Sequence, residues 1–235
     1  MKNLIIASTS TLHGGDYLEY LLPELKQHFK NCKSILFIPY ARPGGISHEE
    51  YTDKVRLAFK SIDISVNGLH EYESAPEALE KAEGIFTGGG NTFLLVSQLY
   101  KSQAMEALAT ILKNGTPYLG TSAGSNITGL TMQTTNDMPI VYPPSFQTLG
   151  LLPFNLNPHY LDADLQSKHM GETRETRIRE FHKFNSTPVV GLREGSWLEV
   201  KGGTITLKGT LTARIFTQNH TPTEAETGTD LSYLK

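Results

Sequence analysis

Cysteine is almost missing from these 235 residues: with Cys32 alone, no intramolecular disulfide, cysteine metal cluster or redox pair can form. Its expected place is that of a small buried or half-buried apolar residue at a strand start. An excess of charge is missing too, since 21 Lys and Arg against 24 Asp and Glu are mixed along the chain for a formal charge of −3. Without a basic stripe or a polybasic anchor, neither nucleic acid nor a membrane surface is an expected partner. No apolar run reaches the roughly 18 residues that would span a bilayer. The opening Met1-Lys2-Asn3-Leu4-Ile5-Ile6-Ala7 turns polar too soon for a signal peptide, so a cytoplasmic protein is expected.

What is present is alternation. Leu4–Ala7, Ile35–Ile38, the set Ile62, Ile64 and Val66, then Gly84–Thr87 and Pro117–Leu119 read as strands. Helical patterns separate them: about Asp16 to Lys30, about His48 to Lys60, a short helix ending near Ala82, Thr92 to Tyr100, and Gln103 to Lys113. Ser47 with Glu50 and Ser74 with Glu77 are capping signatures ahead of two of these helices. The expected fold is α/β, a mainly parallel central sheet flanked by helices. Thr131 to Pro158 reads as an ordered loop region with one or two short strands, and Gly171 to Phe184 as a helix. Four segments, 189–192, 197–200, 204–207 and 213–216, read as short antiparallel strands added to the sheet at the C-terminal end. No repeat or linker divides residues 1–235, so one domain is expected, with a polar, acidic tail (221–235) poorly ordered unless it docks.

One motif carries chemistry. Gly120-Thr121-Ser122-Ala123-Gly124 is a G-x-S-x-G pattern between an apolar run and a helix-forming stretch, the setting of a nucleophile elbow. The turn must be sharp for the hydroxyl to stand clear of the backbone, and flanking glycines remove obstructing Cβ atoms. A glycine-rich turn with a capping serine would look the same.

A nucleophilic serine needs a base and a group to orient it. Of eight histidines, His159 in Asn157-Pro158-His159-Tyr160 follows the apolar Leu149–Leu152 run at a plausible strand end. His13, His28, His48, His70, His169, His182 and His220 fall at helix faces, caps or chain ends. Asp137 lies in the loop after the elbow and gives the order Ser…Asp…His of α/β-hydrolases, with Glu194 and Asp162 as rivals. The Ala123 N–H and the Gly88-Gly89-Gly90 turn are candidate oxyanion donors. That turn continues neither as G-x-x-x-x-G-K-[ST] nor as G-x-G-x-x-G, so a nucleotide site is not expected, and no motif calls for a metal or cofactor.

Gly88-Gly89-Gly90-Asn91-Thr92-Phe93, Ser122-Ala123-Gly124, Thr134 to Val141, Asn157-Pro158-His159 and Gly171-Glu172-Thr173-Arg174-Glu175 together resemble the peptidase E (α-aspartyl dipeptidase) family of serine peptidases, over about Leu4 to Phe216. The resemblance implies a class I glutamine amidotransferase-like fold with serine in place of cysteine, and a cytosolic enzyme that cuts dipeptides with an N-terminal aspartate. It implies Ser122 as nucleophile, His159 as base, Asp137 as the third member, Gly89 or Gly90 with Ala123 as oxyanion donors, and Arg174 as the partner of the aspartyl carboxylate. Thr121 departs from the larger aromatic residue of bacterial members, which would alter pocket shape. Arginine suits a small carboxylate because it offers two parallel N–H donors, although Arg174 read without the resemblance is first of all a helix-surface charge paired with Glu175 or Glu180. A cyanophycinase-like exopeptidase, an esterase and a non-enzymatic amidotransferase-like binder are the competing readings. A monomer or homodimer is compatible with all of them.

Overall fold

Apolar runs four or five residues long, each closed off by turn residues, suit strands buried on both faces. The computed structural model describes residues 1–164, 166, 168 and 170–234. Strands β1 (Asn3–Ala7), β2 (Ser34–Ile38), β3 (Ser65–Gly68), β4 (Ile85–Thr87) and β5 (Tyr118–Thr121) are connected through α1 (Leu22–His28), α2 (His48–Lys60), α3 (Ala75–Glu80), α4 (Thr92–Lys101) and α5 (Ala104–Asn114). Each crossover returns the chain to the same end, so the five strands run parallel in the order β3-β2-β4-β5-β1. Alternate residues serve opposite cores: Leu4, Ile6, Leu36, Ile38 and Ile85 pack beneath α3, α4 and α5, and Ile5, Ile35, Phe37, Phe86 and Leu119 beneath α1 and α2.

Local chemistry sets the helix boundaries. The Ser47 hydroxyl accepts the Glu50 N–H (3.1 Å) while the Glu50 carboxylate accepts the Ser47 N–H (2.7 Å), closing the capping box that starts α2. The helix expected from Asp16 starts only at Leu22, after a 3-10 turn over Glu19–Leu21. Leu18 is left-handed (φ 61°), and Pro23, which has no N–H to leave unpaired, falls in the first turn of α1. Cys32 is buried just before β2, where burial lifts its thiol to a pKa of about 11.

The remaining elements are α6 (Ala123–Asn126), β6 (Asn155–Pro158), α7 (Arg174–Phe181), β7 (Val189–Leu192), β8 (Ser196–Lys201), β9 (Thr204–Gly209), β10 (Ala213–Phe216) and β11 (Thr223–Ala225). Only β8 and β9 extend the central sheet as antiparallel strands, beside β1. Strands β7 and β10 instead join a second sheet ordered β11-β10-β7-β6, in which β6 and β7 run parallel. Val189-Val190-Gly191-Leu192 is buried along its whole length and needs cover on both faces, which a sheet edge does not give.

The polar tail docks. β11 pairs with β10, Glu224 lying opposite Arg214, and Leu231 and Leu234 are buried in the main core. Two leucines three residues apart supply the anchor that the acidic composition hides. His169 and Lys235 lie outside the described residues. Among the described residues, no helix is long and apolar enough to cross a membrane.

Candidate active site

β5 leads into Ser122, whose backbone adopts φ 54° and ψ −111° before α6 begins at Ala123. Such a conformation costs a non-glycine residue on the order of 1–3 kcal/mol, so its surroundings must enforce it. They do. A Cβ at Gly124 would lie 2.1 Å from the Thr87 carbonyl oxygen and one at Gly120 2.6 Å from the Gly124 carbonyl oxygen, so only glycine lets the turn pack this tightly. The Ser122 N–H donates to the Ala7 carbonyl (3.2 Å), the Ser125 hydroxyl donates to the same oxygen (2.6 Å), and the Tyr118 hydroxyl donates to the Gly124 carbonyl (2.8 Å). Thr121 is fully buried and does not line the cavity in front of Ser122.

His159 follows β6 with φ 54°, and its N–H donates to the Ser8 hydroxyl (2.9 Å) at the end of β1. Ser8 in turn donates to the Leu192 carbonyl (2.7 Å), which ties the histidine to both sheets. His159 Nε2 lies 2.9 Å from Ser122 Oγ, and Nδ1 lies 2.6 Å from Glu194 Oε1. A hydroxyl donating to Nε2 requires the proton on Nδ1, where Glu194 accepts it. Glu194 lies in the turn between β7 and β8, and Gly195 beside it has φ 88°.

Asp137, expected as the third member, makes no hydrogen bond to His159 among the described residues. Its Oδ2 accepts the Thr92 N–H (2.7 Å), the Thr92 hydroxyl (2.6 Å) and the Thr135 hydroxyl (3.0 Å). The Thr92 N–H is the first amide of α4, an unpaired donor at the positive end of the helix dipole, and it draws the carboxylate away from the base. Asp162, the other rival, pairs with Arg193 (2.8 Å). The loop around Asp137 still braces the strand that carries the base: Asn157 donates to the Thr134 carbonyl and Asn136 Oδ1 (2.8 Å each), and Asn136 donates to the Pro158 carbonyl (2.7 Å).

The glycine turn divides its work. The Gly89 N–H donates to the Tyr51 hydroxyl (3.0 Å) and so is not available to an oxyanion. The Gly90 N–H has no acceptor among the described residues, and the Ala123 N–H, first in α6, has none inside its helix. A Cβ at Gly89 would stand 2.9 Å from Ser122 Cβ, and Gly90 (φ 145°) passes against Ala41, so neither position accepts a side chain.

Arg174 opens α7, where the Thr173 hydroxyl caps the helix by accepting the Thr176 N–H (3.1 Å). Glu175 is taken by Arg179 and Arg214, and Arg174 makes no ion pair among the described residues. Its guanidinium lines a cavity of about 260 Å³ with Thr92, Ser122, Ala123, Asp137 and His159. Burial, with Arg177 adding to it, pulls the Arg174 pKa down, and Asp137 opposes the shift. A half-buried cation without a partner favours an anionic ligand. A larger groove of about 1070 Å³ beside α5 contains no paired nucleophile and base. Among the described residues, Glu49, His70 and Glu71 have the spacing of metal ligands, but Arg56 already bonds both carboxylates and supplies the positive charge itself.

The family model for peptidase family S51 matches residues 4–208. Peptidase E of Streptomyces coelicolor is 47% identical over 232 residues, covering 99% of this chain and 94% of that protein. A Drosophila melanogaster protein named "Probable alpha-aspartyl dipeptidase" is 43% identical over 236 residues, covering 99% of this chain and 97% of its own. The crystal structure of a peptidase from an acI-B1 Actinobacterium shares the fold, with a TM-score of 0.70 at 16% identity over 99% of this chain and 97% of that one. A match this long, together with relatives this similar, makes the chain a member of peptidase family S51.

Proposed function

We propose that this chain is a serine dipeptidase for substrates with an N-terminal aspartate, with Ser122 as nucleophile, His159 as base and Glu194 as the group that orients the base. The observation that carries the reading is the 2.9 Å contact between Ser122 Oγ and His159 Nε2 at the edge of a small cavity that also holds Arg174, which makes no ion pair among the described residues.

His159 takes the hydroxyl proton through Nε2 as Ser122 Oγ bonds to the scissile carbonyl carbon, and Glu194 stabilises the imidazolium through Nδ1–H. The Gly90 and Ala123 N–H groups hold the oxyanion. His159 then protonates the departing amine as the C–N bond breaks, leaving an acyl-enzyme that water opens by the same two steps. Arg174 binds the aspartyl side-chain carboxylate through paired N–H donors. Asp137 Oδ2 is occupied by three donors, and Oδ1, which has no partner among the described residues, receives the substrate's α-ammonium. The enzyme would act on free peptides in the cytoplasm, as a monomer or homodimer.

The test compares kcat/KM on Asp-Leu, Asn-Leu, Glu-Leu and a tripeptide beginning with aspartate, in the wild type and in Arg174→Ala. Asp-Leu is the expected best substrate, and Arg174→Ala should lose about 2–5 kcal/mol of transition-state stabilisation on it, toward the lower end because the site is half open. Equal loss on Asn-Leu would remove Arg174 from recognition. Turnover of the neutral dipeptide at the Asp-Leu rate would overturn the aspartyl reading.

A further inference from the structure

A dipeptide carries a second carboxylate at its C-terminus, one residue beyond the bond that is cut, and the Arg174 cavity serves only the acyl side. Through Tyr51, which bonds the glycine turn, the chain builds another cationic position. Tyr51 is buried, and its hydroxyl both accepts the Gly89 N–H (3.0 Å) and donates to the Gly89 carbonyl (3.3 Å). The Arg42 guanidinium lies over the Tyr51 ring, 5.1 Å from its centre. The preceding residue, Ala41, accepts the Asn91 N–H (2.7 Å) and closes on Gly90, which fastens the loop carrying Arg42 to the oxyanion turn. Arg42 is exposed and makes no ion pair among the described residues, although carboxylates engage most of the other arginines. Beside it the Tyr17 ring meets Tyr51 edge-on at 6.5 Å, and the Tyr17 hydroxyl is buried. Burial, reinforced by Tyr51, raises the Tyr17 pKa, and the Arg42 charge opposes the shift.

We propose that Arg42 binds the C-terminal carboxylate of the leaving residue and so restricts the enzyme to dipeptides. This rests on the serine dipeptidase reading above. A guanidinium stacked on an aromatic ring is preorganised, losing little freedom when it takes a carboxylate through two N–H donors. An extended chain advances only about 3.3–3.6 Å per residue, so the carboxylate of a dipeptide stays close to the oxyanion turn that Tyr51, the platform of Arg42, braces. A tripeptide would set a neutral amide against the cation and drive its next residue into the loop at Arg42.

The experiment measures kcat/KM on Asp-Leu and on Asp-Leu-amide in the wild type, Arg42→Ala and Arg42→Lys. The wild type should favour the free acid by about tenfold to a hundredfold, the worth of hydrogen bonds to charged groups. In Arg42→Ala that ratio should collapse toward one, chiefly through a higher KM on the acid, and Arg42→Lys should restore part of it. Arg42 is exposed, so the variants should fold, which an unchanged melting temperature would verify. If the ratio in Arg42→Ala equals that of the wild type, the subsite is wrong and the dipeptidase reading stands. If the wild type cuts neither compound, both fall.

Discussion

Glu194 Oε1 lies 2.6 Å from His159 Nδ1, whereas Asp137 is turned onto the first amide of α4. The two carboxylates should therefore fail differently when changed. Glu194→Gln leaves a side chain that can present its amide to Nδ1 and favour the wrong tautomer, and kcat should fall by about 10²–10⁴-fold with KM little altered. Asp137→Asn should act on KM and on stability, at about 1 kcal/mol for the lost helix-end charge. Steady-state kinetics beside urea unfolding separates them, and a reversed pattern would return Asp137 to the base.

Ser122 combines the proposed chemistry with a left-handed backbone. Removing the hydroxyl in Ser122→Ala should lower turnover by as much as about 10⁶-fold while the backbone keeps its cost. Ser122→Gly should be equally inactive yet more stable than the alanine variant by about 1 kcal/mol, because glycine accepts φ 54° freely. Equal melting temperatures for the two would show that the turn holds no strain.

Tyr51 belongs to α2, far from the nucleophile in sequence, but its hydroxyl fixes both polar groups of Gly89. In Tyr51→Phe the buried Gly89 N–H loses its acceptor, at about 1–3 kcal/mol of stability. The turn should loosen where Gly90 aims its N–H, so kcat should drop while KM for Asp-Leu holds. A change in KM alone would place Tyr51 in binding rather than in support of the oxyanion turn.

Glu224 gives a pH test. Burial would raise its carboxyl, but hydrogen bonds from Arg193, Thr212 and Arg214 outweigh this and bring its pKa to about 2. A carboxyl held below its unfolded value stabilises the fold at pH above that unfolded value, and the contribution is lost as pH falls through the folded one. Denaturation midpoints should therefore decline between the ordinary carboxylate range, about 4.3, and about pH 2, with a smaller decline in Glu224→Gln. Identical profiles would mean that solvent already screens this partly exposed cluster.

Much of this molecule is written in short-range patterns. Ser47 with Glu50 and four apolar runs declare themselves within a few residues, whereas β3 (Ser65–Gly68) begins past Ile62 and Ile64 of the alternating set, and Gly120-x-Ser122-x-Gly124 states its own steric need. Long-range choices are less legible. Nothing near Glu194 says that β6 and β7 will pair in parallel and bring it to His159, and nothing near Asp137 says that Thr92 will claim it first. Arg174 is distinguished from an ordinary surface charge only because Arg179 and Arg214 occupy Glu175. The tail is legible only in Leu231 and Leu234, since its polar residues conceal a strand.

That strand has a mechanical consequence. Glu224 grips Arg193, the residue immediately before Glu194, at 2.8 Å. Distant in sequence but adjacent in space, the tail acts as a buttress for the turn that carries the carboxylate behind the imidazole.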